Sequence, residues 1–285
     1  MMKRSLLLFL ALLVSLSLVA CGEEEYSPLA EGEIRVWFLD VGEGDCTLIQ
    51  TATATLLVDT GEADAALSRK IVQKLEKAGV ETIDCLVLTH PHSDHVGGVP
   101  AILEAFTVKE CAMPLTVDEN EAFSDALDAL LGGGVTARIL EAGRSYTYGD
   151  LTLDFLSPAR DAEYTAVNNQ SAVFRVAYGA ATLLMMGDAE IAVEEDILSR
   201  YSADDLQSAL LKVGHHGAGG GSSYAFLSVV APTYAVISVG AENTYGHPDE
   251  EVLWRLQAVG ATVYRTDREG DIVFTGTREG FTDPE

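Results

Sequence analysis

The chain has 285 residues, 48% of them apolar, enough for one large globular domain or two small ones. Its formal net charge is −26. That balance excludes a protein that grips nucleic acid by broad neutralisation of phosphates, although divalent ions can recruit phosphate locally, and it otherwise fits the solubilising charge of an exported protein.

At the N-terminus, Lys3 and Arg4 precede an almost wholly apolar run, Leu6 to Ala20. The run is shorter than the roughly 20 residues that span a bilayer, so residues 1–20 read as a signal peptide. It ends in Leu18-Val19-Ala20-Cys21, which resembles the lipobox of bacterial lipoproteins. The resemblance implies cleavage before Cys21, lipidation of its sulfur and tethering to the outer face of the cytoplasmic membrane. Two acyl chains suffice for stable anchoring. An ordinary secretory signal or an uncleaved anchor is the alternative. Residues 21–32, with Glu23, Glu24 and Glu25, read as a tether, and 33–285 as the folded domain. The other cysteines, Cys46, Cys85 and Cys111, have the spacing neither of a disulfide framework nor of a zinc knuckle, and one pair stays open.

The pattern then predicts two strand-rich halves, each with helices. In the first, Ile34 to Leu39, Cys46 to Thr51, Ala54 to Val58, Ile83 to Leu88 and Val108 to Met113 read as strands. Ala65 to Ala78 carries Leu67, Ile71 and Leu75 at helical spacing and stops at Gly79. Val99 to Phe106 and Glu119 to Leu131 are further helices, the second with Phe123 and Leu127 on one face. In the second half, strands are expected at Ala137 to Leu140, Ser145 to Tyr148 and Leu151 to Leu156. A hairpin about Gly179 joins Ala172 to Ala177 with Ala181 to Met186. Helix Ile191 to Tyr201, strands Leu210 to Val213 and Tyr234 to Val239, helix Glu250 to Ala258 and strands Thr262 to Tyr264 and Ile272 to Phe274 follow. Two β-rich halves with outer helices suggest an α/β (α+β) four-layer αββα sandwich.

All six histidines fall in three short stretches beside glycine, proline or aspartate. His90, His92, Asp94 and His95 occupy the string LTHPHSDHVGG after an apolar strand. Residues two apart on an extended segment project the same way, so His90 and His92 can share an ion, and imidazole with carboxylate suits zinc, iron or manganese. Asp188 follows Gly187 at a strand end, His215 and His216 lie in Gly-His-His-Gly, and His247 precedes Pro248. Several strand ends of one sheet can face one cleft.

The string resembles the HxHxDH motif of the metallo-β-lactamase fold superfamily, and the order of Asp59, Asp188 and the late histidines agrees with it. A narrower resemblance, to the hydrolase domain of ComEC-type competence DNA-uptake proteins, rests on four stretches. They are Phe38-Leu39-Asp40-Val41-Gly42-Glu43-Gly44-Asp45, Asn168-Asn169-Gln170-Ser171, Lys212-Val213-Gly214-His215-His216-Gly217 and Tyr245-Gly246-His247-Pro248. A free-standing, lipid-anchored relative is expected.

The resemblance implies two divalent ions, zinc or manganese. His90 and His92 hold one, Asp94 and His95 the second, Asp188 bridges them, and His215, preferred over His216, completes the second. Asp94 also orients a metal-activated water. Asp59 orients a ligand or caps the next helix. Asn169 and His216 support ligands or face substrate, and Asp45 either satisfies its turn or takes part in the site. His247 binds or protonates the leaving group, or holds the loop at Pro248. Lys212 meets a phosphate or points to solvent. Many relatives place a histidine ligand between the HxHxDH turn and the bridging carboxylate; none lies between His95 and His215 here, and Asn168, Asn169 or Ser171 stands in that region. One ion site is therefore poorer in ligands. The expected function is a lipid-anchored extracytoplasmic hydrolase acting on a phosphodiester, including nucleic acid. The alternatives are a non-catalytic module assisting DNA uptake and an acyl hydrolase (lactonase or β-lactamase).

Overall fold

A computed structural model describes residues 29–284. The signal peptide, Cys21 and most of the tether lie outside them. Two large sheets form the centre. The first has eight strands in the order Gly280–Phe281, Ile272–Thr277, Glu33–Phe38, Thr47–Thr51, Thr55–Val58, Cys85–Val87, Glu110–Pro114, Thr136–Leu140. The second has seven, in the order Thr262–Arg265, Tyr234–Ile237, Leu210–Lys212, Ala181–Met185, Val173–Tyr178, Leu151–Ser157, Ser145–Tyr148. Each sheet is part antiparallel and part parallel. The first turns parallel where Thr55–Val58 meets Cys85–Val87, and the second where Ala181–Met185 meets Leu210–Lys212.

The central strands are apolar on both faces, as strands covered on two sides must be. Along Thr55–Val58, Leu56 and Val58 point between the sheets while Leu57 points at the helices. Leu183 and Met185 likewise face the inter-sheet core while Leu184 faces outward to a third cluster. Helices Ala65–Lys77, Val99–Ala105 and Glu121–Gly132 cover the first sheet through Ile71, Leu75, Ile102, Phe123 and Ala126. Helices Ile191–Arg200, Tyr224–Val230 and Glu250–Ala258 cover the second through Val193, Ile197, Phe226, Leu227, Val252 and Leu256. The result is the expected four-layer αββα sandwich.

Most expected elements are present within a residue or two. Several details differ, among them the strand expected over Val108 to Met113, which breaks at Lys109 into Thr107–Val108 and Glu110–Pro114. The strand expected over Ile83 to Leu88 is divided: Thr82–Ile83 pairs with Thr107–Val108 in a small separate sheet, and Cys85–Val87 joins the first large one. Leu127 is 36% exposed, and Ala126 and Leu130 are the residues that pack with Phe123. A closing hairpin, Ile272–Thr277 with Gly280–Phe281, extends past the expected last strand. Cys46, Cys85 and Cys111 are all free and buried, so no disulfide forms among them.

What the fold contributes to function is one shared edge. Asp59, the segment Thr89 to His95, Asp188, His215, His216 and His247 all follow the carboxyl ends of strands that are parallel to one another within their sheet. The two sheets meet there through a backbone bond from Ala172 N–H to Thr89 C=O, 2.9 Å. The turn carrying the histidines is pressed onto its neighbours. The Gly97 N–H donates to Gly61 C=O at 3.0 Å, and a Cβ on Gly97 would overlap the backbone of Glu62 and Ala63. The substitution Gly97→Ala is therefore expected to lower the unfolding free energy by about 2 kcal/mol or more, the scale of overpacking against unyielding backbone, measured by chemical denaturation. An unchanged midpoint would show that the turn can shift.

Candidate metal centre

Asp188 lies at the middle of the shared edge and is 2% exposed. Its Oδ2 is 3.5 Å from His90 Nε2, and its Oδ1 is 3.3 Å from His95 Nε2 and 3.6 Å from His216 Nε2. Asp94 Oδ2 stands 3.3 Å from His216 Nε2 and 3.7 Å from His95 Nε2. Overlapping groups result, among them His90 with His95 and Asp188, and Asp94 with His95 and His216. His92 sits at the mouth, with its Nδ1 3.0 Å from His90 Nε2.

The rings are aimed by fixed partners. The carboxylate of Asp59, fully buried, accepts from the Thr89 N–H (2.8 Å) and hydroxyl (2.7 Å), and lies 2.8 Å from His95 Nδ1. A carboxylate only accepts, so His95 carries a proton on Nδ1 and turns Nε2 to the cluster. His216 Nδ1 is held by the Ser238 carbonyl at 3.1 Å, with the same consequence. Local backbone strain accompanies this. Asp59 (φ 57°), His215 (φ 48°) and His216 (φ 51°) are left-handed without being glycine, a conformation that persists only where surrounding contacts over-determine it.

Burial alone would raise the Asp188 carboxyl, but His95, His216 and His90 outweigh it and hold it well below the ordinary range. Asp94 is likewise raised by burial and brought down to about 2 by His95 and His216. Burial lowers His90, with His95 adding to the effect, so that ring is neutral. His216 moves the other way: burial would lower it, but Asp188, Asp45 and Asp94 lift it to about 10. Burial keeps the Asp59 carboxyl above its usual value despite His95.

A divalent cation fits this arrangement. His95 Nε2, His216 Nε2 and Asp188 Oδ1 are buried without a hydrogen-bond partner, and both nitrogens lie within 3.6 Å of that oxygen. Buried polar atoms are rarely left so, and nitrogen and carboxylate oxygen are ligands of the zinc and manganese kind.

The residues expected from sequence are thus mostly brought together: His90, His92, Asp94, His95 and Asp188 share one centre. The preference for His215 over His216 is reversed by the geometry. His216 is buried between Asp94 and Asp188, whereas His215 turns outward. Its Nδ1 lies 3.2 Å from Glu190 Oε1, its Nε2 3.2 Å from Asn168 Nδ2, and its Nε2 3.9 Å from Asp188. Two successive left-handed residues send adjacent rings apart, which sequence order does not reveal. Lys212 neither meets a phosphate nor reaches solvent; it is fully buried against Asp45 at 2.7 Å. Asn169 supports the loop after Asp188, its Oδ1 accepting the Glu190 N–H at 3.0 Å. His247 lines the cleft, with its ring 5.7 Å from that of His215 and stacked on Tyr245.

The cleft over the centre has a volume of about 260 Å³. Besides the residues already named, its lining includes Glu43, Glu62, Ser93 and Tyr245, none of which the sequence alone singles out as site residues. Glu43 and Tyr245 stand in two of the stretches that carry the competence-protein resemblance, so their positions carry a signal; Glu62 gives none apart from its neighbours.

A profile of the metallo-beta-lactamase superfamily matches residues 39–241, and the chain belongs to that superfamily. Among curated proteins it is 35% identical to "Competence protein ComA" of Neisseria gonorrhoeae over 92% of this chain and 36% of that protein. It is 28% identical to "ComE operon protein 3" of Bacillus subtilis (strain 168) over 86% of this chain and 33% of that protein. The chain therefore spans about a third of the length of these two relatives. "Exodeoxyribonuclease WalJ" of Streptococcus pneumoniae shares 26% identity over 48% of this chain and 46% of its own. Among solved structures, the metallo-beta-lactamase fold protein YhfI of Bacillus subtilis superposes with a TM-score of 0.56 at 14% identity, covering 86% of this chain and all of that one.

The raised His216 sets a pH dependence for protein stripped of metal by a chelator. A group whose folded pKa exceeds its unfolded value of 6.5 contributes stability in full below that value and loses it as pH rises through about 10. The thermal midpoint of chelated protein is expected to fall between pH 7 and pH 10, and the slope to flatten in His216→Gln. A midpoint constant over that window would contradict the placement of His216 among carboxylates.

Proposed function

We propose that this chain is a metal-dependent phosphodiesterase, anchored by lipid at Cys21 outside the cytoplasm, with nucleic acid as its substrate class. The observation that carries the reading is the approach of His95 Nε2 and His216 Nε2 to Asp188 Oδ1, all three buried and without a hydrogen-bond partner. The phosphodiester preference is supported by the competence-protein and exodeoxyribonuclease relatives. The lipid anchor is supported by the sequence at Cys21.

In this reading His90, His92 and Asp188 would hold one ion, and Asp94, His95, His216 and Asp188 would hold the other. Zinc or manganese bound at such a centre would supply an activated water near neutral pH and Lewis-acid stabilisation of charge on phosphoryl oxygens. The chain's own groups position and screen. Asp94 faces the cleft, and its lowered pKa keeps it ionised, able to orient a water. His247 is lowered by burial, with His215 next, so it is neutral at pH 7. It suits a hydrogen bond to the leaving group better than full protonation of it. Asn168 presents its amide in the cleft beside His215. No lysine or arginine lines the cleft among the described residues, so the ions carry the attraction for phosphate.

The first site has two histidines where many relatives have three, and this gives a specific expectation. Titration of the purified chain with zinc or manganese should show two unequal affinities, with His92→Ala removing the weaker. His216→Ala should weaken the tighter site on the order of a hundredfold or more, while His215→Ala leaves metal content intact. Cleavage of bis(p-nitrophenyl) phosphate and of single-stranded DNA should follow metal content. Inertness under every metal, together with DNA binding that survives chelation, would replace the enzyme with the second reading, a binding module, which the missing histidine favours. Turnover of nitrocefin or a lactone in place of phosphodiesters would indicate acyl hydrolysis.

A further inference from the structure

We propose that Lys212 and Asp45 form a buried positioning pair that aims His216 at the metal centre. The inference rests on the metal-dependent reading above. It begins from a pair that the proposed chemistry does not otherwise use. Lys212 Nζ lies 2.7 Å from Asp45 Oδ2, with the lysine side chain 0% and the aspartate 3% exposed. The ammonium also donates to the Val213 carbonyl at 3.0 Å. Burying two opposite charges is costly in desolvation, and a well-packed apolar pair of similar volume would often hold a fold as well or better. A strand-end lysine has a stem long enough to reach water, so its burial asks for a reason.

The remaining oxygen of Asp45 supplies one. Oδ1 is buried with no hydrogen-bond partner and lies 3.4 Å from His216 Nδ1. The other neighbour of Nδ1 is the Ser238 carbonyl at 3.1 Å. Both neighbours are acceptors, so Nδ1 keeps its proton, and Nε2 is the atom that points between Asp94 and Asp188. The backbone of His216 is strained in this position, with φ 51°, and would relax without contacts that hold the ring. Asp45 is itself tied to the other loops of the centre. Its N–H donates to the Asp94 carbonyl at 3.2 Å, and its own carbonyl accepts the Gly61 N–H at 2.9 Å. The preceding Gly44 packs so closely on the Asp94 backbone that a side chain there would overlap it. Asp45 thus joins three parts of the centre: its carboxylate meets Lys212 and the ring of His216, and its backbone bonds the turn that carries Asp94. The lysine keeps that carboxylate ionised and prevents it from swinging into the centre as a ligand, which its place within reach of Asp188 and His216 would otherwise allow.

A pair that only glues a loop to a strand predicts something different, and a double variant separates the two. In the full-length chain, Asp45→Asn and Lys212→Met each leave an uncompensated buried group, so each should lower the thermal midpoint, and the double variant should recover part of that loss. Affinity for zinc at the site containing His216 should fall 10- to 100-fold in both single variants and stay low in the double variant. A second readout needs no metal. The His216 Nδ1–H proton should give a slowly exchanging NMR resonance in wild type that shifts or broadens in the double variant. Recovery of wild-type zinc affinity in the double variant, or an unchanged Nδ1–H resonance in it, would overturn the proposal and leave the pair purely structural. If wild type takes up no zinc, the metal-dependent reading fails, and the resonance alone then decides whether the pair positions the ring.

Discussion

Asp188 is a carboxylate almost sealed from water and enclosed by the imidazoles of His90, His95 and His216. An ionised group in such a place persists only if opposite charge stays within a few ångströms of it. That requirement organises the loops around it. Asp59 fixes His95, the Ser238 carbonyl fixes His216, and Thr89 stands between Asp59 and His90 with its hydroxyl 3.2 Å from the ring. The strained backbones of Asp59 and His216 are the local cost of aiming these groups, and hydrogen bonds to buried, rigid partners offset it.

The sandwich makes that enclosure possible. One sheet supplies Asp59 and the histidine turn, and the other supplies Asp188 and His216. Neither half holds the centre alone. An apolar layer between the sheets, including Val58, Val87, Met185 and Val236, locks the two strand edges in register. Close-packed cores resist displacement, so the apolar layer holds the ring positions on opposite sheets relative to one another.

Charge is distributed unevenly about the centre. Glu43, Glu62, Asp94 and Asp188 line the cleft, and among the described residues no lysine or arginine does. The Lys212 ammonium, buried and outside the cleft lining, is engaged by Asp45. Burial, with Asp94 and Asp188 adding to it, raises the Glu43 carboxyl. With no basic side chain at its rim among the described residues, the cleft could attract an anion only through cations bound at the centre. The acidity of the whole chain is consistent with that division.

Much of the fold and of the centre is legible in the order of the residues. The string from His90 to His95 signals ligands because imidazole and carboxylate types recur there at a spacing few other roles require. The apolar run Leu56, Leu57 and Val58 signals a strand covered on both faces. The helix carrying Ile71 and Leu75 is marked by its period and by Gly79. These are local signals, carried by neighbours in the chain. What stays hidden depends on partners far apart in sequence or on backbone dihedrals. Leu127 cannot be told from Leu130 by helical period alone, because the exposed face is chosen by what packs against it. The choice between His215 and His216 turns on two left-handed residues in succession, and the fate of Lys212 on Asp45, far back along the chain. Sequence by itself determined the family motifs, which imidazoles and carboxylates stand at the strand ends, and that the strands lie in a buried sandwich. Tertiary structure decided which ring faces the centre and which charge is buried, because aim and burial are set by contacts across the two sheets that no local pattern encodes.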